Sequence, residues 1–355
     1  MEETGVVIAG TNKEDAVSLL AEASGGGRAL LTPSCTAALE MSALLLDIEP
    51  GDEVIMPSFT FVSTASAFVL RGGVPVFVDI RPDTLNIDES LIEQAITDRT
   101  KAIVVVHYAG VGCEMDAICR IAEKHKLPVI EDNAHGLFGK YRGKALGSFG
   151  SLATLSFHHT KNFSTGEGGA LIVNDPDLMD RAEIIRDKGT NRSRFLKGME
   201  EKYTWVDLGS SFLMSDLLVP VLEEQLRRAD EIQAKRKAIW DRYASGLGEW
   251  AEEKGVSLPF VPEECESAWH LHYMQMPDHE SRGELLDHLN ERGHRATFHY
   301  LPLDRSPVGE KVGRSIDGCP VTQSVSSRLL RLPFHNGLEA EEQGRIVEAV
   351  KEWRG

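Results

Sequence analysis

The chain has 355 residues, 42% of them apolar and 26% charged, and its 55 acidic residues against 38 Lys and Arg leave a formal charge of −17. That composition fits a globular protein with one large domain and a smaller one, and so acidic a chain argues against a nucleic-acid clamp, which needs clustered cations to neutralise phosphates. No apolar run reaches the roughly 18 residues of a membrane span, the acidic start MEETGVVIAG is unlike a signal peptide, and the cysteines share no C-x-x-C spacing, so a soluble, cytoplasmic protein without a disulfide framework is expected.

In chain order, short apolar runs alternate with stretches of helical period. ALLT precedes AALEMSALLLDI, DEVIMP precedes the stretch from Phe61 to Leu70, VPVFVDI precedes ESLIEQAI, and KAIVVVHY precedes MDAICRIAEKH and then LPVIEDN. SLATLSF and GALIVND read as strands flanking a polar loop. Val/Ile-rich strands alternating with helices predict a three-layer α/β fold, a mostly parallel sheet covered by helices on both faces. In LEEQLRRADEIQAKRKAIWDRY, charges recur at helical spacing beside apolar positions, which predicts a long connecting helix. Residues 1–240 are accordingly assigned to a large α/β domain. Residues 241–355, with HLHYMQM, RGELLDHLNERG, TFHYL and EAEEQGRIVEAVKEWRG, form a small C-terminal α+β domain.

Several common chemistries fail on spacing. Gly110-Val-Gly112 has Met115 where a dinucleotide-binding G-x-G-x-x-G needs its third glycine. Before Gly143-Lys144, Phe138 stands at the first glycine of a Walker A loop, and Ala145 replaces the hydroxyl residue. His158 and His159 are neighbours on an extended segment and point to opposite sides, with no further ligand at metal-binding spacing, so no metal site is signalled.

Three features carry chemistry. Ser156-Phe-His-His-Thr-Lys161 leads from a strand into the Gly-rich loop Gly166-Glu-Gly168-Gly169, which puts a lysine past the carboxyl end of a sheet strand, where open α/β sheets place ligands and where a desolvated amine can act as a nucleophile. LPVIEDNAHG ends a strand with Glu131-Asp132, and an Asp at such an end can hold a pyridine nitrogen protonated, as pyridoxal phosphate (PLP) chemistry requires. Thr32-Pro-Ser34-Cys35-Thr36 follows the strand ALL and opens a helix whose free amides favour a phosphate. Taken singly, each has a plainer reading: a solvated loop lysine, a capping aspartate, an ordinary N-cap.

In this order the motifs resemble those of the DegT/DnrJ/EryC1/StrS family of PLP-dependent sugar aminotransferases, with the fold type I architecture. The resemblance runs from about Leu30 to the C-terminus through PSCTAALEMSALLLDIEPGDEVIMPSFTFVSTASAFVLRGG, EDNAHG, SFHHTKNFSTGEGGALIVND, KYTWVDLGSSFLMSDL and LRLPFHN. PSFTFVSTA, VHYAG, RDKGTNRS and GSSFLMSD are most similar to the dTDP-4-amino-4,6-dideoxygalactose transaminases within it. The resemblance implies that Lys161 anchors the cofactor, that Asp132 pairs with the pyridine nitrogen, and that Ser156 joins the amides of Cys35 and Thr36 on the phosphate. It places Phe61 over the cofactor ring, where core packing is the plainer alternative, and His135, where the family usually has Gln, beside the ring oxygen. Ser211 falls where many members carry an Asn that reaches the phosphate in the neighbouring subunit, so a homodimer with shared sites is implied. An amino-acid donor, by family habit glutamate, and a nucleotide sugar, dTDP-4-keto-6-deoxyglucose, are the implied substrates, with Lys188, Arg192, Arg194 and Tyr300 as candidate substrate contacts. A helix cap for Ser211 or Ser215, and a solvated face for the cations, are the competing readings.

Three departures accompany the resemblance. The imidazole of His135 brings a group that ordinarily titrates between about pH 5 and 8. Asp304 replaces the His of a YxPLH pattern, and ETGVVIAGTNKEDAVSLLAEASGGG replaces the usual Gly-rich N-terminal segment. A PLP sugar dehydratase of the same fold would carry His in place of Lys161, and a catalytically silent sugar-nucleotide sensor would have lost Lys161 or Asp132, yet both residues are present.

Overall fold

A computed structural model describes residues 13–355; of the atypical N-terminal segment, residues 1–12 lie outside the described residues. The strands are β1 (Arg28–Thr32), β2 (Glu53–Pro57), β3 (Val74–Val78), β4 (Thr100–Val106), β5 (Val129–Asp132), β6 (Lys140–Tyr141), β7 (Lys144–Ala145), β8 (Leu152–Ser156), β9 (Gly169–Val173), β10 (Cys265–Glu266), β11 (Tyr273–Gln275), β12 (Arg314–Ser315) and β13 (Leu329–Arg331). Eight of them form one sheet in the order β1-β9-β8-β5-β4-β2-β3-β12. Every pairing from β8 to β12 is parallel, and β9 runs antiparallel to both β8 and β1.

The pleat sorts the apolar strands into two cores. Val54 and Met56, Ala102 and Val104, and Leu171 and Val173 face one side, where they pack under the helices Cys35–Leu45, Val62–Val69 and Met179–Arg186. Ile55, Ile103 and Val105 face the other side with the helix Met115–His125, and there Ala170 and Ile172 meet the helices Lys13–Ala23 and Val219–Arg227. Burial on both faces explains why the strands read as unbroken Val/Ile runs.

The helix Ala229–Lys254 begins in the large unit, where Ala229 and Ile232 pack, and from Ile239 onward builds a separate core with Leu285, Leu330, Ile346 and Trp353. β11 and β13 pair antiparallel there, flanked by the helices His279–Glu291 and Ala340–Glu352. Asp278 starts the first of these with a capping box, accepting from the Ser281 amide at 2.8 Å. The segment 241–355 is not self-contained, because β12 returns to the edge of the large sheet beside β3 and β10 pairs with β6. Among the described residues, no helix is long and apolar enough to cross a membrane.

Glu53, fully buried at the start of β2, holds β12 in place. Its carboxylate accepts two bonds from Arg314, at 3.0 and 2.7 Å, one from Arg99 at 2.6 Å and one from Thr97 at 2.7 Å. The Arg314 guanidinium pulls the carboxyl down to about 2, against burial, which pushes it up. A depressed carboxylate stabilises the folded state above its unfolded pKa and loses that contribution as pH falls through the folded value. Glu53→Gln is therefore expected to lower the unfolding free energy by about 1–3 kcal/mol at neutral pH. In urea titrations at several pH values, the gap to wild type should narrow as the pH falls from 4.5 towards 2.

Candidate active site

Strand β5 ends in consecutive acids, and the pleat sends them to opposite faces. Glu131 points below the sheet, where it accepts from the amides of Gly147, Phe149 and Gly150, each at 2.7 Å, and pairs with His107 Nε2 at 2.9 Å. The Cys113 amide donates to Nδ1 of the same ring, so Nε2 carries the proton. Asp132 points to the upper face. Thr64 Oγ1 donates to its Oδ2 at 2.7 Å and the Ala134 amide to its Oδ1 at 3.3 Å. Burial raises the Asp132 carboxyl above the usual range, while Thr64 and the charge of Lys161 draw it back.

Lys161 lies on the turn that follows β8 and precedes β9, its amide bonded to the His158 carbonyl at 2.9 Å. The turn is clamped on both sides. Asn162 Nδ2 donates to the Ala268 carbonyl at 2.7 Å, and Gln225 bonds both the amide and the carbonyl of Ser164. Desolvation lowers the Lys161 amine to about 8, with Cys35 and Asp132 opposing the fall and Arg331 adding to it.

The helix Cys35–Leu45 starts above β8 and β9. Ser34 is its N-cap, its hydroxyl accepting from the Ala37 amide at 3.0 Å, which leaves Cys35 and Thr36 on the opening turn at the cavity wall. The plain N-cap reading and the anion-site reading of this segment are thus compatible. Gly169 permits the arrangement, because a Cβ there would collide with the Ser34–Cys35 peptide. Ser156 ends β8 two residues after Thr154, on the same face as Asp132, which is the register partner of Thr154. Thr154 Oγ1 accepts from the Cys35 thiol at 3.5 Å.

Ser34, Cys35, Thr36, Asp132, Ser156 and Lys161 line one cavity of about 850 Å³, together with Phe61, His135 and Tyr300. Phe61 is 56% exposed and stands 6.3 Å from the Tyr300 ring, so core packing does not account for it. His135 stacks on His270 at 4.0 Å and lies near His299, with its Nδ1 buried and unpartnered. Burial, then the charge of Lys161, hold its imidazole well below the usual range, which favours the structural role over a titrating one for His135. His270 Nδ1 faces Asn162 Oδ1 at 2.8 Å and His299 Nδ1 faces the Tyr108 hydroxyl at 3.0 Å. His270, His299, Asn162 and Arg331 escaped the sequence reading. The signal for His270, His299 and Arg331 is a polar residue recurring inside the apolar runs HLHYMQM, TFHYL and LRLPFHN, and that for Asn162 is its place directly after Lys161.

Other candidates lie outside the lining of this cavity. Lys188 donates to Asp187 at 2.9 Å, Arg192 stands 3.8 Å from the same carboxylate, and Arg194 lies 3.2 Å from Glu200 and 3.6 Å from Asp180. Each stands beside an acid and stays 39–53% exposed. Ser211 is exposed on an extended segment whose Phe212 and Met214 are buried, and it bridges to Asp187. Neither Ser211 nor Ser215 caps a helix, since the next one begins at Val219 with Leu218 as N-cap. Asp304 is buried beneath the wall, accepting from Ser58 Oγ at 2.5 Å, so this departure changes the packing under the site rather than its lining.

A desolvated amine, a proton-holding carboxylate and an anion cradle suit carbonyl chemistry on amino compounds, and the fold is that of PLP-dependent aminotransferases. DesV of Streptomyces venezuelae matches with a TM-score of 0.87 and 32% identity over 97% of this chain and 89% of its own. TlmJ, an aminotransferase of Streptoalloteichus hindustanus, matches at 0.87 and 29% over 96% of this chain and 89% of its own. The chain belongs to the DegT/DnrJ/EryC1/StrS aminotransferase family, whose profile matches residues 1–351. It is 34% identical to the spore coat polysaccharide biosynthesis protein SpsC of Bacillus subtilis, over 92% of this chain and 86% of that protein. It is 33% identical to the dTDP-3-amino-3,4,6-trideoxy-alpha-D-glucose transaminase of Streptomyces venezuelae, over 89% of this chain and 80% of that one. Aminotransferases of this family use PLP, and family and relatives together support a sugar aminotransferase. The residues present fit that cofactor. The Ser34–Cys35 cradle exists only because position 169 lacks a Cβ, and the buried Nδ1 of His135 has no partner of its own.

Two outcomes test this geometry. Cofactor-free protein should capture PLP covalently at a rate that rises through a midpoint near pH 8, because the neutral amine is the nucleophile. Stopped-flow absorbance reads the rate, and a midpoint at or above the ordinary lysine value of about 10.4 would contradict the desolvation; Lys161→Ala should leave no borohydride-trapped adduct. His135→Gln should remain active with the acid limb of its kcat/KM profile unmoved, since burial disfavours a charged imidazole at this position. A displacement of that limb by about 0.5 pH unit or more would show that His135 titrates.

Proposed function

We propose that the protein transfers an amino group from an amino acid, glutamate, to C4 of dTDP-4-keto-6-deoxyglucose, releasing a dTDP-4-amino-4,6-dideoxyhexose. The observation that carries this reading is the meeting of Lys161, Asp132 and the Ser34–Thr36 helix start in one cavity of a family sugar aminotransferase. The choice of C4 rests on the motifs PSFTFVSTA, VHYAG, RDKGTNRS and GSSFLMSD.

When bound, PLP supplies an electron sink for charge developing on the substrate carbon. The amides of Cys35 and Thr36 and the hydroxyl of Ser156 would hold its phosphate, with Phe61 at its ring. Asp132, oriented by Thr64, keeps the proton on the pyridine nitrogen. His135, whose Nδ1 is buried without a partner, would stand at the ring oxygen. Lys161 Nζ, which desolvation brings down to about 8, is the group that would move the proton off and onto the reacting substrate carbon. Donor and keto sugar use the same cavity in turn, in a ping-pong sequence, with Tyr300 at the sugar.

The active unit in this reading is a cytoplasmic homodimer. Ser211, Leu213 and Ser215 face outward beside the exposed Trp205, Val206, Leu208, Leu217 and Val221. An apolar surface of that extent suits a second copy, which would bring Ser211 to the cofactor phosphate and Lys188, Arg192 and Arg194 to the sugar diphosphate across the interface. A second reading puts amination at C3, favoured by the Streptomyces venezuelae relative, a dTDP-3-amino-3,4,6-trideoxy-alpha-D-glucose transaminase.

Incubation with PLP, glutamate and dTDP-4-keto-6-deoxyglucose is expected to yield a 4-amino sugar, and NMR of the product assigns both position and C4 configuration. No amination of this substrate, with turnover of a 3-keto sugar, would replace the first reading by the second. For the dimer, inactive Lys161→Ala and Ser211→Trp chains are mixed after reversible dissociation. Shared sites leave one intact site per mixed dimer, restoring up to about half the activity. Mixed dimers verified by mass spectrometry that stay inactive would refute sharing.

A further inference from the structure

Two segments far apart in the chain meet at the mouth of the cavity, and one buried pair of side chains fastens them together. The first follows β2 and leads through Ser58 to Phe61; the second runs from Tyr300 to Asp304. Ser58 is fully buried, and its amide ties it to the large sheet by donating to the Val78 carbonyl at 3.1 Å. Its carbonyl and hydroxyl both face the second segment. The carbonyl accepts from the Leu303 amide at 3.1 Å, while Oγ accepts from the Asp304 amide at 3.1 Å and donates to Asp304 Oδ1 at 2.5 Å.

The Asp304 carboxylate has no other structural task. It caps neither of the turns beside it, since Pro302 precedes the short turn Leu303–Arg305 and Ser306 caps the helix Pro307–Val312. Its Oδ2 is buried without a hydrogen bond, with Arg305 Nε 3.4 Å away, so the side chain that its hydrogen bonding serves is that of Ser58. A buried carboxylate so sparsely satisfied is costly. The cost has a return if the place of Ser58 matters to the site.

Phe61 supplies that return. Its ring is 56% exposed, and it opens the helix Val62–Val69 without a side-chain cap bond, so nothing of its own fixes it. Its neighbours do. On one side is the Ser58 clasp; on the other, Thr60 Oγ1 lies 2.8 Å from Thr64 Oγ1, whose single proton goes to Asp132, which makes Thr60 the donor. Between them Phe59 is buried, its ring 5.6 Å from that of Tyr300. Tyr300 is anchored from behind, its carbonyl accepting from Ser326 at 2.6 Å. The clasp thus fixes both sides of the gap between the rings of Phe61 and Tyr300, whose centroids are 6.3 Å apart.

We propose that Asp304 is a positioning residue for the cofactor: by locking the Ser58 hydroxyl it sets where Phe61 stands against Tyr300. The role rests on the aminotransferase reading above, with Phe61 at the ring of PLP, and deepens it. Because the YxPLH pattern has His at this position, the clasp belongs to this chain rather than to the pattern.

The test is PLP affinity, titrated by visible absorbance, together with the circular dichroism of the bound chromophore. Asp304→Asn keeps an acceptor for Ser58 and should hold PLP within about threefold of wild type, whereas Asp304→Leu and Ser58→Ala should each weaken it at least about tenfold and diminish the dichroism. In a Phe61→Ala background, the further loss from either change should fall below about threefold, because the clasp acts through that ring. Ser58→Ala removes one buried oxygen and carries the same expectations if Asp304→Leu does not fold. Losses that simply multiply in the double variants, an Asn variant as weak as the Leu one, or variants that melt earlier yet bind PLP like wild type would overturn the role. Phe61→Ala that binds PLP like wild type would sink the placing of Phe61 at the ring, and wild type that holds no PLP would sink the aminotransferase reading itself.

Discussion

The pleat at the end of β5 is the constraint on which the site depends. Two consecutive carboxylates must go to opposite faces, and each is buried. Glu131 is satisfied only if the amides of Gly147, Phe149 and Gly150 and the ring of His107 converge on it. Those amides belong to the loop that feeds β8, so satisfying Glu131 sets where β8 begins. The same register then brings Thr154 beside Asp132, Ser156 to the rim, and Lys161 onto the turn beyond. A slip of one residue would strand a buried charge below the sheet and turn Ser156 to the wrong face.

The large and small units are joined through the same turn. Arg236, from the connecting helix, ties the carbonyls of Trp269 and His270 to Asn336, and Asn336 donates to the carbonyl of Asn162, next to Lys161. Asn162 in turn bonds the Ala268 carbonyl and His270. The amine is therefore placed by contacts from both units, although it belongs to the large one. Such a network holds a reactive group more firmly than a surface loop could, because each buried polar atom that moved would lose its partner.

Environment also decides which charges are available. His135 belongs to a residue type that titrates near neutrality, but under His270, beside Lys161 and away from water, the neutral ring is the stable form. Lys188, Arg192 and Arg194 read as a cationic cluster along the chain, yet Asp187, Asp180 and Glu200 fold against them. At Arg331, on β13, the groups that act on the charge are the phenols of Tyr108 and Tyr300.

Much was legible along the chain because it depends on local periodicity and on motifs longer than chance. Continuous Val/Ile runs alternating with helical stretches predicted a mostly parallel sheet, and the order of SCT, ED and K along successive strand ends pointed to one site and to the family. Pattern along the chain could not reveal what distant segments do to one another. The lowered imidazole of His135, the ion pair of Arg194 with Asp180, the burial of Asp304 against Ser58, and the return of β12 to β3 all come from contacts between residues apart in sequence or from solvent exclusion. Residue types and their spacing are properties of the chain, whereas desolvation and charge pairing are properties of the packed molecule, and so tertiary structure alone decided which of these side chains are free to act.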